Sequence, residues 1–281
     1  HPPTLSPRRK QKKDQFVIAY LPDLDHPEAV LSHARPLALM LQKGLILLHI
    51  SDPRYTSLTP SDAQPRLQAL CASLPQATYA ARKGNTPDII HALPDLIGAV
   101  VIVAQVSATA PSRSPLHKRR LLADFASCKV AYLTVQEPLR NSQPPRVAFS
   151  VDYSKASKEK FVWASYFARF GSSPLTAMHY HYKDEGLRYK CRANLQFLSK
   201  LYEGLSIAHQ ERAIPRAGSY PDCAILKHHA ADIDLLVAVT TQEKDFVEYF
   251  LGTQEHRTIV NASRLPILFL NPRDDIYVLC D

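Results

Sequence analysis

The 281 residues contain no apolar run approaching the ~18 to 20 that a membrane-spanning helix requires, and no apolar signal-peptide core follows the N-terminus. No membrane span is expected. The five cysteines (Cys71, Cys128, Cys191, Cys223 and Cys280) are odd in number, widely separated and free of C-x-x-C spacing. That pattern argues against a disulfide framework or a thiolate zinc site, and a reducing cytoplasm is the expected setting. The chain also lacks a G-x-S-x-G elbow, a Walker loop and an H-E-x-x-H helix, so an enzyme reading has no positive feature to rest on. It opens on His1 instead of a methionine, as the trimmed start of a longer protein would.

What is present is ordinary for a globular protein: 46% hydrophobic and 21% charged residues. The length suits two domains. Of the net charge of +8, Arg8, Arg9, Lys10, Lys12 and Lys13 set against Asp14 supply +4, so half the basicity belongs to a leader, residues 1–14. Such a run can touch nucleic acid or an anionic membrane surface. Like-charge blocks are more often solvated and disordered, and no specific nucleic-acid partner is expected.

Two segments repeat at an offset of 130 to 136 residues. Phe16 to Tyr20 and Arg146 to Ser150 open each repeat as short buried strands. Helical patterns follow, in which Ala34 and Ala38 fall opposite Ala164 and Ala168, small residues spaced by four on a face able to press closely on a sheet. Second strands, Leu45 to Ile50 and Leu175 to Tyr180, place His49 opposite His179. A shared G-x-x-P-D pattern then appears, in Gly84 to Asp88 and again in Gly218 to Asp222. It reads as a strand-to-helix junction, with proline where a missing N–H costs nothing and aspartate at the positive helix end. Gly98 to Gln105 and Ile233 to Thr240 are β-branched runs suited to strands buried on both faces, and Lys129 to Val135 and Leu265 to Leu270 close the repeats.

Each half therefore reads β-α-β-α-β-α-β-α-β: an α/β chain of two tandem Rossmann-like domains, each a five-stranded parallel sheet with helices on both faces. The division expected is 15–137 and 146–281, joined by the proline-bearing linker 138–145. Ligands of such sheets bind at the carboxyl ends of the strands.

From about Phe16 to Pro272 the chain resembles the universal stress protein family in tandem form. Val147 to Ser154 looks like the family's first strand, ending in Asp152, and Ala231 to Val237 looks like its fourth. Nucleotide-binding members carry G-2x-G-9x-G-[S/T] after the fourth strand, because only glycine lets backbone N–H groups close on phosphates. Here those slots hold Val239, Gln242 and Gly252-Thr253. A β-branched valine obstructs both positive φ and close approach, so ATP binding is expected to be weak or absent, and no cofactor is assigned. Gly252-Thr253, ahead of a helix expected from Glu255 to Ala262, either retains an anion site or simply caps that helix. In the first half the corresponding slots fall on Leu116-His117 and on Pro22 with Asp23 beside it, and the phosphate pattern is lost. The resemblance implies a cytosolic stress-response binding or signalling protein. An interaction scaffold and a soluble regulatory domain of a membrane transporter stand as alternatives.

Other constellations carry less. His179 and His181 lie on one face of a strand at a spacing that can hold a metal, but no third ligand is evident and ordinary hydrogen bonds are expected. The Ser/Pro-rich stretch Ser107 to Pro115 with His117 to Arg120 reads as a surface loop before a solvated helix start, with phosphate or an acidic partner as the alternative. Val130 to Val135 and Pro266 to Leu270 are apolar edge candidates. Their pairing would join the two domains within one molecule as a pseudo-dimer, with a homodimer or another protein as further partners, and Ile276 to Leu279 could extend or cover that edge.

Overall fold

The computed structural model describes residues 14–106, 121–125, 128–141, 143–214, 220–240 and 258–271. The basic leader, the loop 107–120, Gly218, Gln242, Gly252-Thr253 and the segment Ile276 to Leu279 lie outside the described residues. In the first half β1 (Phe16–Tyr20), β2 (Gly44–Ser51), β3 (Ala77–Lys83), β4 (Ala99–Gln105) and β5 (Ala131–Val135) alternate with α1 (Glu28–Leu41), α2 (Pro60–Ala72) and α3 (Thr86–Ile97). A helical turn at 121–125 precedes β5. In the second half β6 (Val147–Val151), β7 (Leu175–His179), β8 (His209–Ala213), β9 (Leu235–Val239) and β10 (Ile267–Leu270) alternate with α4 (Ser157–Gly171), α5 (Glu185–Gly204) and α6 (Pro221–His228).

The strands form one sheet in the order β3-β2-β1-β4-β5-β10-β9-β6-β7-β8. Within each half every pairing is parallel. The one antiparallel ladder joins β5 to β10, pairing Thr134 with Ile267, Leu133 with Leu268 and Tyr132 with Phe269. Aligning the halves by their ladders makes Leu133 and Leu268 equivalent, and these two pair with each other. That is the register a two-fold axis demands, where residue i meets j and j meets i. The apolar edge candidates of the sequence are thus the centre of the sheet. The real edges, β3 and β8, carry Arg82, Lys83, Glu211 and Arg212, the charged residues that protect a free strand from further pairing.

The repeat is visible in detail. Ala34, Ala38 and Ala164 are buried against the sheet and Ala168 packs on the same core, as their spacing predicts. Both helices end on a non-glycine residue in the left-handed region, Gln42 (φ 54°) and Ser172 (φ 56°), again 130 residues apart. The G-x-x-P-D junctions open α3 and α6, with Pro87 and Pro221 in the first two helical positions and Asp88 and Asp222 in the first turn. Gly98 ends α3 at φ +67°, and a Cβ there would lie 2.3 Å from the Asp14 carbonyl oxygen, so glycine is required for β4 to start beside β1.

Two expected elements are shorter than their sequence patterns: β7 ends at His179, which leaves Tyr180 and His181 beyond the strand, and a helix near the C-terminus stops early. The helix anticipated through Ala262 is no longer helical from Ile259 onward. Asn261 turns the chain instead: its side chain donates to the Leu265 carbonyl (3.0 Å) and accepts from the Leu265 N–H (2.9 Å). Asparagine competes with the helical hydrogen-bond ladder in this way.

The core lies in two layers, one on each face of the sheet. Tyr132 and Phe269 stack at 5.2 Å across the β5/β10 ladder, fully buried, with Phe125 against Tyr132 at 5.3 Å. Truncation of Phe269 to alanine is expected to cost roughly 3 to 5 kcal/mol, read by urea denaturation, because it empties a site at the junction that cannot collapse from either side.

Candidate functional site

The parallel halves each have a switch point, between β1 and β4 and between β6 and β9, where chain connections leave in opposite directions. Crevices open there at the carboxyl ends of the strands. In the second half β6 and β9 pair only from Val147 to Phe149, while β6 stays paired with β7 as far as Val151. The β6/β9 ladder therefore stops before the strand ends, with Asp152 just past the end of β6 and Val239, the last residue of β9, packed on the core layer of Phe149 and Val151.

Asp152 is held by everything around it. Its Oδ1 accepts the Ser154 N–H at 2.7 Å and the Ser157 hydroxyl at 2.8 Å, and its Oδ2 accepts Lys160 Nζ at 2.9 Å. Lys160, on α4 and only 2% exposed, donates also to the Ser150 hydroxyl at 2.8 Å. Asn194, from α5, donates to the carbonyls of Asp152 and Ser154, both at 2.8 Å, and so fixes the loop that leaves β6. Burial opposes ionisation of Asp152, but the Lys160 ammonium and the Ser154 bonds outweigh it and hold the carboxyl below the ordinary range. Alternation along β6 puts Ser150 and Asp152 on one face and Phe149 and Val151 on the other. The buried Lys160 ammonium, reaching in from α4, joins these two residues by bonding both Ser150 and Asp152.

Aromatic rings wall the opening. Tyr153, half-exposed, meets Tyr182 edge-on at 5.4 Å, and Tyr182 meets Tyr180 at 5.9 Å. Behind them Cys191 is buried with its thiol against the Val151 carbonyl, and burial pushes it up to about 11. It is not a thiolate nucleophile at neutral pH.

The first half fills the equivalent place. Tyr20, at the position equivalent to Ser150, is buried, with its ring 6.1 Å from Phe125. Beyond it Asp52 accepts the Thr86 N–H and hydroxyl, both at 2.8 Å, together with the Arg54 guanidinium. Arg54 spans to Asp124 at 3.3 Å, and the Tyr55 hydroxyl donates to Asp124 at 2.6 Å. Burial works against charge on Asp52, yet Arg54 and Thr86 together hold its carboxyl far below the ordinary value. A guanidinium between two buried carboxylates occupies this end of the first half.

Of the residues anticipated from sequence, Asp152 follows the end of β6 and Val239 ends β9, with no contact between them among those described, whereas Gln242, Gly252 and Thr253 lie outside the described residues. Asp23, the acidic residue beside the lost slot of the first half, is exposed and caps its own turn by accepting the Asp25 N–H at 2.8 Å. His49, equivalent to His179, is buried with Nδ1 on the Leu21 carbonyl at 2.8 Å. Among the described residues no three His, Cys, Asp or Glu side chains converge as a metal site, and no helix is long and apolar enough to cross a membrane. Sequence reasoning missed Lys160, Asn194, Tyr153 and Tyr182 at the second crevice and the Asp52-Arg54-Asp124 bridge at the first. Lys160 had a visible signal: a lysine where the repeat places Val30.

Two outcomes are expected. Lys160→Met strands the Asp152 carboxylate and costs about 3 kcal/mol in urea denaturation, while adding Asp152→Asn recovers most of that loss in a double-mutant cycle. Because the pKa of Asp52 is depressed on folding, its contribution is complete above the unfolded value near ~4 and is lost as pH falls below it. The melting temperature should therefore drop between about pH 5 and pH 2, and less steeply in Asp52→Asn.

No protein-family model matches the chain, and no curated protein matches it in sequence. Solved structures do match in fold. A universal stress protein from Archaeoglobus fulgidus DSM 4304 superposes with a TM-score of 0.66 at 12% identity, covering 91% of this chain and 98% of that one. A functionally unknown protein from Pseudomonas aeruginosa PAO1 gives 0.62 at 15% identity, covering 94% of each. The cytoplasmic domain of a prokaryotic cation chloride cotransporter gives 0.55 at 10% identity, covering 92% and 95%. Its strand order, its internal repeat and this end-to-end likeness give the chain the tandem Rossmann-like fold of the universal stress proteins.

Proposed function

We propose that the chain is a non-catalytic binding or signalling module of the tandem universal stress type, acting in a reducing cytoplasm, with its remaining ligand crevice in the second domain. The domains proposed are 15–137 and 146–281. The observation that carries this reading is the contrast between the two switch points: Tyr20, Tyr55 and the Arg54 bridge fill the first, while at the second the β6/β9 ladder ends at Phe149 and the Tyr153-Tyr182 pair stands beside Asp152. An aromatic wall next to an opening suits a flat ring with a polar edge.

ATP is a poor occupant. Both Asp152 oxygens are already engaged by the protein's own donors, so a ligand must displace Lys160 or Ser154 to use them. Val239 also sets a branched side chain where a phosphate loop needs close backbone approach. Gln242, Gly252 and Thr253 complete the candidate set. Isothermal titration is expected to give an ATP dissociation constant no tighter than about 1 mM, equivalent to roughly −4 kcal/mol. Stoichiometric, tight ATP binding that is lost in Gly252→Val overturns the reading.

A second reading, a soluble regulatory domain of a membrane transporter, is favoured by the fold shared with the cotransporter domain along nearly the whole chain. A membrane-spanning region in the same reading frame would support it.

A further inference from the structure

A large cavity among the described residues lies away from both switch points. It lies at the junction of the halves, where α1 and α4 flank the central β5/β10 pair and the 138–145 segment closes the third side. Its volume, about 960 Å³, is at the upper end of the ~300 to 1,000 Å³ that small-molecule clefts enclose. The helices approach closely where a Cβ on Gly171 would lie 2.7 Å from Met40 Sδ.

The lining has two zones. Leu37, Met40, Leu133, Phe167, Leu235 and Leu265 make an apolar floor. At the rim stand three guanidiniums and two carboxylates. Arg146 is satisfied by Asp234 through two bonds, 2.9 and 3.0 Å. Glu137 alone serves both Arg140, through Oε1, and Arg264, through Oε2 at 3.3 Å. His33 is also bound there, its Nε2 on the Glu137 carbonyl at 3.2 Å, and burial lowers its pKa, which keeps it neutral at pH 7. Three cations against two anions leave one positive charge uncompensated, shared between Arg140 and Arg264, whose side chains are 69% and 57% exposed and free to reorient.

We propose that this cavity binds an amphiphilic monoanion: an aliphatic carboxylate whose chain lies on the apolar floor and whose head group takes the guanidinium that Glu137 cannot fully satisfy. A single uncompensated charge fits a carboxylate better than a phosphate monoester, whose charge approaches −2 near neutral pH. Guanidinium and carboxylate also match as a planar fork. This site is separate from the crevice at Asp152 and stands or falls independently of the reading given for it.

The test uses the full chain and cis-parinarate, whose fluorescence rises on entering an apolar site. Saturable binding of one probe per chain is expected, displaced by palmitate and not by methyl palmitate. Arg264→Gln should weaken binding roughly tenfold, the scale of one charge-assisted hydrogen bond, with an unchanged thermal melt because Arg140 still holds Glu137. The proposal is overturned by the absence of saturable binding, or by equal displacement by acid and ester. It is equally overturned if the variant, folded as the parent, binds the probe with undiminished affinity. Co-sedimentation with phosphatidylglycerol vesicles in place of probe binding would also overturn it, by assigning the cations to a membrane surface.

Discussion

Each repeat ends on a short strand that is apolar on both faces, and such a strand cannot be left at the rim of a sheet. Its unpaired N–H and C=O groups and its side chains would solicit any passing chain. Here the two terminal strands, Ala131–Val135 and Ile267–Leu270, satisfy each other in an antiparallel ladder with Leu133 opposite Leu268. The rest of the architecture follows from that pairing. It merges two five-stranded parallel sheets into one of ten, places Tyr132 and Phe269 in stacked contact at the centre, and moves the free edges out to the charged strands β3 and β8.

The same junction decides what lies above it. Helices α1 and α4, related by the approximate two-fold axis, press their alanines onto the sheet and approach one another closely at Met40 and Gly171. The segment between the halves runs over the space they leave, anchored by the Leu139 N–H on the Ser32 hydroxyl at 2.9 Å and by His33 on the Glu137 carbonyl. A cavity with an apolar floor and a charged rim is thus a product of duplication: neither half encloses it alone.

The two switch points have diverged in opposite ways. In the first half, buried rings and a guanidinium-carboxylate bridge fill the carboxyl end of the sheet. In the second, the strands separate early and a buried ion pair keeps the rim in one geometry. A buried pair gives little net stability, because desolvation offsets most of its attraction. Its effect here is to fix where Ser150, Asp152 and the loop to α4 stand.

Much of the fold was legible in the chain itself. Period-two and period-four patterning, the alanine pairs, the G-x-x-P-D junctions and the constant offset specify parallel β-α units, because burial of one face imposes those periods whatever surrounds them. The composition of the terminal strands marks them as edges in need of cover, and the resemblance to the universal stress proteins implies that they pair with each other. Sequence overran at several element ends: Asn261 diverts the backbone before Ala262, and β7 stops at His179, short of Tyr180 and His181. What local pattern did not contain is which side chains from distant elements converge. That Lys160 reaches Ser150 and Asp152, that Arg54 bridges Asp52 to Asp124 across 70 residues, and that Glu137 divides itself between Arg140 and Arg264 are outcomes of tertiary packing. Polar convergence depends on distances between elements, and those are set only when the helices pack onto the assembled sheet.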